Sequence, residues 1–311
     1  MQTILGSGGV ISRELAESLR EYTTDIRLVA RNPKAFHESN ELVSADLTNA
    51  EDTLRAVKGS EVAYFVAGFP YGHKSWSAMW PVAMKNVIDA CKTHGTKLVF
   101  FDNIYMYDPE YLDGMTEDTP HNPSSKKGKV RQQVIDMLMK EVENGSLTAL
   151  VARCPDYYGP GIEKNSMLTE TVLKKLAEGS KANWLGPLKF KHSFAYTPDA
   201  GRATAILGNT PDAFNQTWHL PTAGNPPTGQ EWIDSIAKKF GAKPKTMILT
   251  PFIAGLMGIF VPVMKELKEM MYQYDRDYVF NSDKFEKRFN FTPTSYEEGI
   301  AKIIATDYPK S

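Results

Sequence analysis

The chain has 311 residues, 42% of them hydrophobic, and a formal net charge of −1. That length carries one large α/β domain, or a large one with a small companion, around a substantial core. Balanced charge argues against a general nucleic-acid or membrane-surface binder, and two cysteines without partner spacing, Cys91 and Cys154, argue against a disulfide framework.

The elements alternate from the start. Ile4-Leu5 ends a short strand. Gly6-Ser7-Gly8-Gly9 is a tight turn, and Ser12 to Tyr22 carries Leu15 and Leu19 on one helical face. Glycine lets the backbone turn sharply and approach a ligand closely, the helix that follows aims free N–H groups at the turn, and Val10 and Ile11 between them are expected among the cofactor-binding residues. This predicts a nucleotide pyrophosphate on Gly6, Gly8 and Gly9; the alternative is a turn that binds nothing. Ser12 stands where a third glycine would allow close packing, as a small residue or an N-cap.

Asp25 to Ala30 predicts a second strand, Leu42 to Leu47 a third, Glu61 to Ala67 a fourth, Lys97 to Phe101 a fifth and Thr148 to Arg153 a sixth. Helices are expected through Leu54 and Val57, from about Pro81 to His94 with Gly95 as its cap, and from Lys129 to Val142. Strands separated by such helices predict an α/β fold with a doubly wound parallel sheet. Beyond Arg153 the pattern loosens. Helices are expected at Met167 to Glu178, Asp199 to Gly208, Gly229 to Phe240, within Phe252 to Tyr274, and at Ser295 to Thr306. Strands are expected at Phe194 to Tyr196 and Trp218 to Leu220. Residues 1–155 are thus expected to form a dinucleotide-binding domain. Residues 156–311 are expected to form mainly a smaller, helix-rich substrate lobe, interwoven with the sheet.

The apolar run Pro251 to Met264 has about 14 residues, against the roughly 20 a membrane span needs. It reads as a buried or pocket-lining helix or an interface. No basic, apolar leader precedes the first strand, which predicts a cytoplasmic protein.

The second strand ends in Arg31-Asn32, with no acid in place. A carboxylate there binds a ribose 2′-hydroxyl and an arginine accommodates a 2′-phosphate, so Arg31 predicts NADP rather than NAD, with Ser7 and Asn32 adding hydrogen bonds. The alternative is a surface arginine. Asp46-Leu47 is placed to meet the adenine edge or to cap the next helix. Ala67 and Gly68 keep side chains out of the way of a cofactor. Trp76 and Trp80 read as core. No histidine spacing suggests a metal site.

Gly6-x-x-Gly9, Asp46-Leu47, Asn86, the Tyr107 segment, Arg153-x-Pro155-x-x-Tyr158-Gly-Pro-Gly161 and Tyr196-x-x-Asp199 occur in an order that resembles the extended short-chain dehydrogenase/reductase superfamily, its NAD(P)-dependent epimerase/dehydratase group. The similarity covers essentially the whole chain and implies a Rossmann fold. The family carries a serine or threonine where this chain has Asn103, and a tyrosine and lysine where it has Lys127 and Arg131. That departure resembles the superfamily's atypical branch. The resemblance implies that Pro155 and Tyr158 wall the nicotinamide and that Arg131 holds a ribose hydroxyl. Lys127, Tyr105, Tyr107 and Asn103 are the candidate proton-transfer and polarising groups. The competing reading of Lys126-Lys127-Gly128-Lys129 is a solvated helix start. The expected activity is NADP-dependent reduction, dehydrogenation or epimerisation of a small carbonyl or hydroxyl substrate, by a monomer or homodimer. The alternative is a non-catalytic NADP(H) sensor that kept the fold and lost the triad.

Overall fold

The structure is a computed structural model and describes residues 1–164, 166–250, 252–253, 255 and 266–309. Apart from Phe252, Ile253 and Gly255, the apolar run Pro251 to Met264 lies outside the described residues, as does the first part of the helical stretch expected from Phe252 to Tyr274.

The chain forms two compact units. The first comprises Met1–Met106, Lys126–Cys154 and Pro198–Leu220; the second comprises Tyr107–Ser125, Pro155–Thr197 and Pro221–Ser311. The return of residues 198–220 gives the first unit its last strand.

In the first unit, β1 (Gln2–Leu5), β2 (Ile26–Ala30), β3 (Glu41–Ser44), β4 (Val62–Phe65), β5 (Lys97–Asp102), β6 (Ala149–Arg153) and β10 (Thr217–His219) form a seven-stranded sheet in the order β10-β6-β5-β4-β1-β2-β3. Every neighbouring pair is parallel. The central strands β1 and β4 are buried along their length. Helices over both faces produce such near-continuous apolar strands. The edge strand β3 is largely exposed and carries Glu41, whose charge discourages pairing with another chain. The doubly wound parallel sheet expected from the alternation is present.

The crossovers are α1 (Val10–Leu19), α2 (Ala50–Val57), α3 (His73–His94), α4 (Lys126–Glu143) and α5 (Thr197–Gly208). Helix α3 starts well before the expected Pro81 and runs through it. Proline removes one backbone donor and usually ends a helix. Here Trp76 and Trp80, 7% and 4% exposed, anchor the preceding turns in the core. Gly95 closes α3 in the left-handed region at φ 64°, as expected. Helix α4 begins one turn earlier than Lys129. Helices α1 and α5 meet at Gly201, where an added Cβ would lie 2.5 Å from Glu14 Cβ and 2.9 Å from the Leu15 nitrogen.

The second unit pairs β7 (Tyr157–Tyr158) with β9 (Ala195–Tyr196) and β8 (Ala182–Leu185) with β11 (Thr246–Leu249), both parallel. Neither β8 nor β11 was expected; each is stabilised by pairing with the other across a long stretch of chain. The helix expected over Met167 to Glu178 is divided into a π-helical segment, Thr169–Leu173, and a short α-helix, Lys174–Ala177. Helix α6 (Gly229–Phe240) matches its expected span. Thr228 and Glu231 cap its start reciprocally, and Gly241 closes it at φ 67°. Helices α7 (Asp283–Phe289) and α8 (Tyr296–Asp307) follow. Tyr158, Trp184, Phe194, Trp232 and Tyr296 belong to this unit's buried cluster. No helix among the described residues is long and apolar enough to cross a membrane.

The Gly201 contact yields a stability prediction. Gly201→Ala forces a methyl group against the α1 backbone and lowers the unfolding free energy by about 1–3 kcal/mol, read as a lower urea midpoint; an unchanged midpoint would show that the helices separate at no cost.

Candidate functional site

The loop between β1 and α1 is shaped by one close approach. Gly6 sits at φ 101°, and a Cβ on it would lie 2.5 Å from Ala67 Cβ and from the Ala67 nitrogen. Only glycine lets β1 turn here against the end of β4. The Gly6 and Ser7 amides both donate to the Val29 carbonyl, at 2.9 Å each. Ser12 Oγ accepts from the Gly8 and Gly9 amides, at 2.9 and 3.1 Å, and donates to the Gly9 carbonyl at 2.7 Å. Ser12 is therefore not the N-cap. Gly9 is the N-cap, and Ser12, two positions into the helix beyond Val10, braces the loop from within.

Four of the loop's amides are thus engaged internally. Val10 and Ile11 are the first helical residues, whose N–H groups have no acceptor within their helix. The first turn of α1 carries no acidic residue, so its positive end is uncompensated there. Cβ atoms at Gly8 and Gly9 would meet nothing within 4 Å. The Ser7 hydroxyl is buried with no hydrogen-bond partner. Open space, two helix-end donors and an orphaned hydroxyl fit a pyrophosphate; of the expected residues, Gly6, Gly8 and Gly9 have their amides engaged, and Val10 and Ile11 have theirs at the helix start.

At the end of β2, Arg31 and Asn32 are exposed. The Ser44 hydroxyl donates to the Arg31 carbonyl at 2.8 Å. Asp46 is not the cap of α2, which is Asn49 accepting from the Asp52 amide at 3.0 Å. Instead, Asp46 Oδ1 accepts from the Thr48 hydroxyl and amide at 2.7 and 2.9 Å. These bonds hold its carboxyl below the usual range, with the Arg31 cation adding to the effect. Leu47 is buried, and its carbonyl accepts from Asn86 of α3 at 3.1 Å. Ala67 is half-buried and Gly68 exposed at the end of β4.

A second centre lies where β5 ends and α4 begins. Lys127 is fully buried, while Lys126 and Lys129 are exposed. Of the three lysines in the run, helical periodicity turns only this one inward, which rules out the solvated-face reading for it. Lys127 Nζ stands 4.9 Å from the Tyr71 ring centroid. Tyr71 meets Trp76 edge-on at 5.7 Å, and Trp76 stacks on Tyr105 at 5.9 Å. The Asn103 side chain accepts from the Tyr105 amide at 3.0 Å and so shapes the turn that presents that ring.

One helical turn after Lys127, the Arg131 guanidinium lies 4.0 Å from the Trp80 centroid and 5.0 Å from Phe100. Its Nε donates to Asp102 Oδ1 at 2.9 Å, and a second nitrogen donates to the same oxygen. Arg153 reaches Asp102 Oδ2 at 3.4 Å. All three residues are buried. The structure therefore joins Lys127, Tyr105, Asn103 and Arg131 in one network. It also adds Asp102, Tyr71 and Arg153, to which sequence reasoning gave no role in a site. Asp102 carried a signal as an acid closing an apolar strand, and Arg153 as the first residue of the Arg153-x-Pro155 motif.

The remaining expected residues lie in the second unit. Tyr107 is fully buried, 5.7 Å from the His121 ring. Pro155 is buried, and Tyr158 packs among Tyr196, Trp232 and Tyr296. Among the described residues no group of three or more His, Cys, Asp or Glu could hold a metal ion.

The profile of the NAD dependent epimerase/dehydratase family matches residues 3–219. No curated protein is significantly similar in sequence. Similar solved structures include UDP-glucose 4-epimerase of Thermus thermophilus in complex with NAD, at 16% identity and TM-score 0.79 over 98% of each chain. They also include UDP-N-acetylglucosamine 4-epimerase of Bacillus cereus, at 15% identity and TM-score 0.76, covering 97% of this chain and 94% of that one. A dTDP-glucose 4,6-dehydratase double mutant of Streptomyces venezuelae, with NAD bound, has 15% identity and TM-score 0.79, covering 98% and 96%.

Breaking the Asp102 network has a foreseeable cost. Asp102→Asn leaves two buried guanidinium groups facing a neutral amide and destabilises the protein by about 3–5 kcal/mol. Chemical denaturation of the variant measures this; a loss below about 1 kcal/mol would mean that water reaches the pair.

Proposed function

The chain belongs to the NAD dependent epimerase/dehydratase family, and from that premise we propose an NADP-dependent oxidoreductase acting on a small carbonyl or hydroxyl substrate, with Lys127 in place of the family's tyrosine. The carrying observation is the burial of Lys127 one turn before Arg131, within the aromatic cluster that includes Tyr105. Ring faces hold the ammonium in place, where its N–H groups can be presented to a substrate oxygen.

Each part of the chain has a task in this reading. The Val10 and Ile11 amides bind the pyrophosphate. Arg31 meets the 2′-phosphate with charge-assisted hydrogen bonds, aided by Ser7 and Asn32. Asp46, with one oxygen engaged by Thr48, offers the other to the adenine amino group. Bound there, the coenzyme supplies the hydride donor or acceptor. Lys127 Nζ holds the proton exchanged with the substrate oxygen, and the Tyr105 hydroxyl and Asn103 amide orient that oxygen. Arg131, with two nitrogens on Asp102, acts by positioning α4 rather than by gripping a ribose. The similar epimerases and dehydratase are named for sugar-nucleotide substrates, so a sugar derivative is a natural candidate here.

A second reading keeps the coenzyme and drops the turnover. The replacement of the family's serine or threonine, tyrosine and lysine by Asn103, Lys127 and Arg131 favours a redox-sensing NADP(H)-binding protein.

Two measurements decide. By fluorescence titration, NADPH binds more tightly than NADH, and Arg31→Ala erases the advantage, an effect of about tenfold or more; equal affinities in the wild type would remove the NADP assignment. In a carbonyl-substrate screen, Lys127→Ala lowers kcat by about 10²–10⁴-fold. Undiminished turnover in that variant would remove Lys127 from the chemistry. No turnover on any compound, with NADPH still bound, would leave the sensor reading.

A further inference from the structure

The second unit carries a charge that the whole-chain balance hides. Residues 238–253 hold Lys238, Lys239, Lys243 and Lys245 and no acid, in a chain whose net charge is −1. Lys239 is paired with Glu297 at 3.3 Å, while Lys238, Lys243 and Lys245 are exposed. The small sheet brings in a fifth lysine. Thr246 of β11 stands opposite Ala182 of β8, and the Ala182 amide donates to the Lys245 carbonyl at 2.8 Å. One step back along each chain, exposed Lys181 and Lys245 are therefore neighbours. Like charges side by side repel, and an anion between them reverses the sign of that term.

Apolar side chains follow directly. Met247 and Ile248 of β11 are 43% and 41% exposed. Successive strand residues point to opposite faces, so Met247 shares its face with Lys245 two positions earlier. Beyond β11 the Ile253 amide donates to the Thr250 hydroxyl at 3.2 Å. That turn keeps Phe252, 78% exposed, and Ile253, 37% exposed, within a few residues of the strand. Several large apolar side chains left in water along one short stretch mark an interaction surface.

The chemistry of the patch selects its occupant. Among the described residues β11 pairs with β8 alone, so its other edge is open to an added strand. Pro244 and the lysines on either side of it oppose such pairing at the start of that edge. A second copy docking through a two-fold axis would set the same lysines against themselves. A bilayer rich in anionic lipid suits both halves of the patch, with ammonium groups at the level of the head-group phosphates and carboxylates and the apolar side chains among the upper acyl carbons.

We propose that Met247, Ile248 and Phe252, with Lys181, Lys243 and Lys245, dock the protein peripherally on an anionic lipid surface. The oxidoreductase reading uses none of these residues, so the two stand or fall separately.

Flotation of the full chain with lipid vesicles tests the proposal. One set is phosphatidylcholine alone, and the other is phosphatidylcholine and phosphatidylserine in equal parts. Wild type binds the mixed vesicles at least about tenfold more tightly, and added salt weakens that binding. Phe252→Ala removes an exposed ring and weakens it about tenfold. The combined variant Lys181→Ala, Lys243→Ala, Lys245→Ala weakens it about a hundredfold, since each lysine near an anionic surface contributes about a factor of five. All four side chains are exposed, so both variants keep the wild-type melting temperature. Vesicle binding that is absent, equal on the two compositions, or unchanged in either variant overturns the proposal. A dimer of the free protein that Phe252→Ala dissociates, with no vesicle binding, assigns the patch to a second copy and overturns it equally.

Discussion

One buried carboxylate organises the first unit's candidate chemistry. Asp102 closes β5 and receives Arg131 from α4 and Arg153 from β6. Charges this deep persist only when paired, because desolvation would otherwise outweigh every contact they make. The pairing thus sets the rotation of α4 on the sheet. With Arg131 turned inward, Lys127 one turn earlier lies on the same helical face and must also be inside. The flat faces of Trp76, Trp80 and Phe100 around Arg131 then serve two purposes, covering the sheet and holding a cation.

The framework was readable because its signals are local. Alternating apolar strands and helices, a glycine turn at the first crossover and a glycine closing α3 each depend on neighbours a few residues away. The departures were non-local. Helix α3 overran Pro81 because the two tryptophans before it gain more by burial than one hydrogen bond loses. Strands β8 and β11 are short segments stabilised by each other across about sixty residues. Lys127 is one of three lysines in a run that also reads as a solvated helix start, and only its burial under the rings decides between the two. Arg131 looked like a ribose ligand, while its partner Asp102 sits 29 positions away.

Shared architecture at about 15% identity speaks to the scaffold, and the chemistry must be argued from side chains. Here the two point to different degrees of change. The opening loop retains the glycine that permits contact with Ala67, and Ser12 replaces a third glycine without loss, since its hydroxyl organises the amides around it. At the β5 and α4 end, residues have been exchanged in concert. Lysine and arginine occupy positions held by tyrosine and lysine in the family this chain resembles, and an aromatic enclosure accompanies the extra positive charge. The proposed reading, a coenzyme at the opening loop and an exchanged pair at Lys127 and Arg131, takes its support from this contrast.

The seat itself is the premise of that account, and amide NMR on the isotopically labelled protein tests it most directly. Addition of NADPH should shift the Val10 and Ile11 amide resonances more than any others in the first unit, since a phosphate arriving at the start of α1 meets those two N–H groups first. Saturating NADPH that leaves both resonances in place would contradict it.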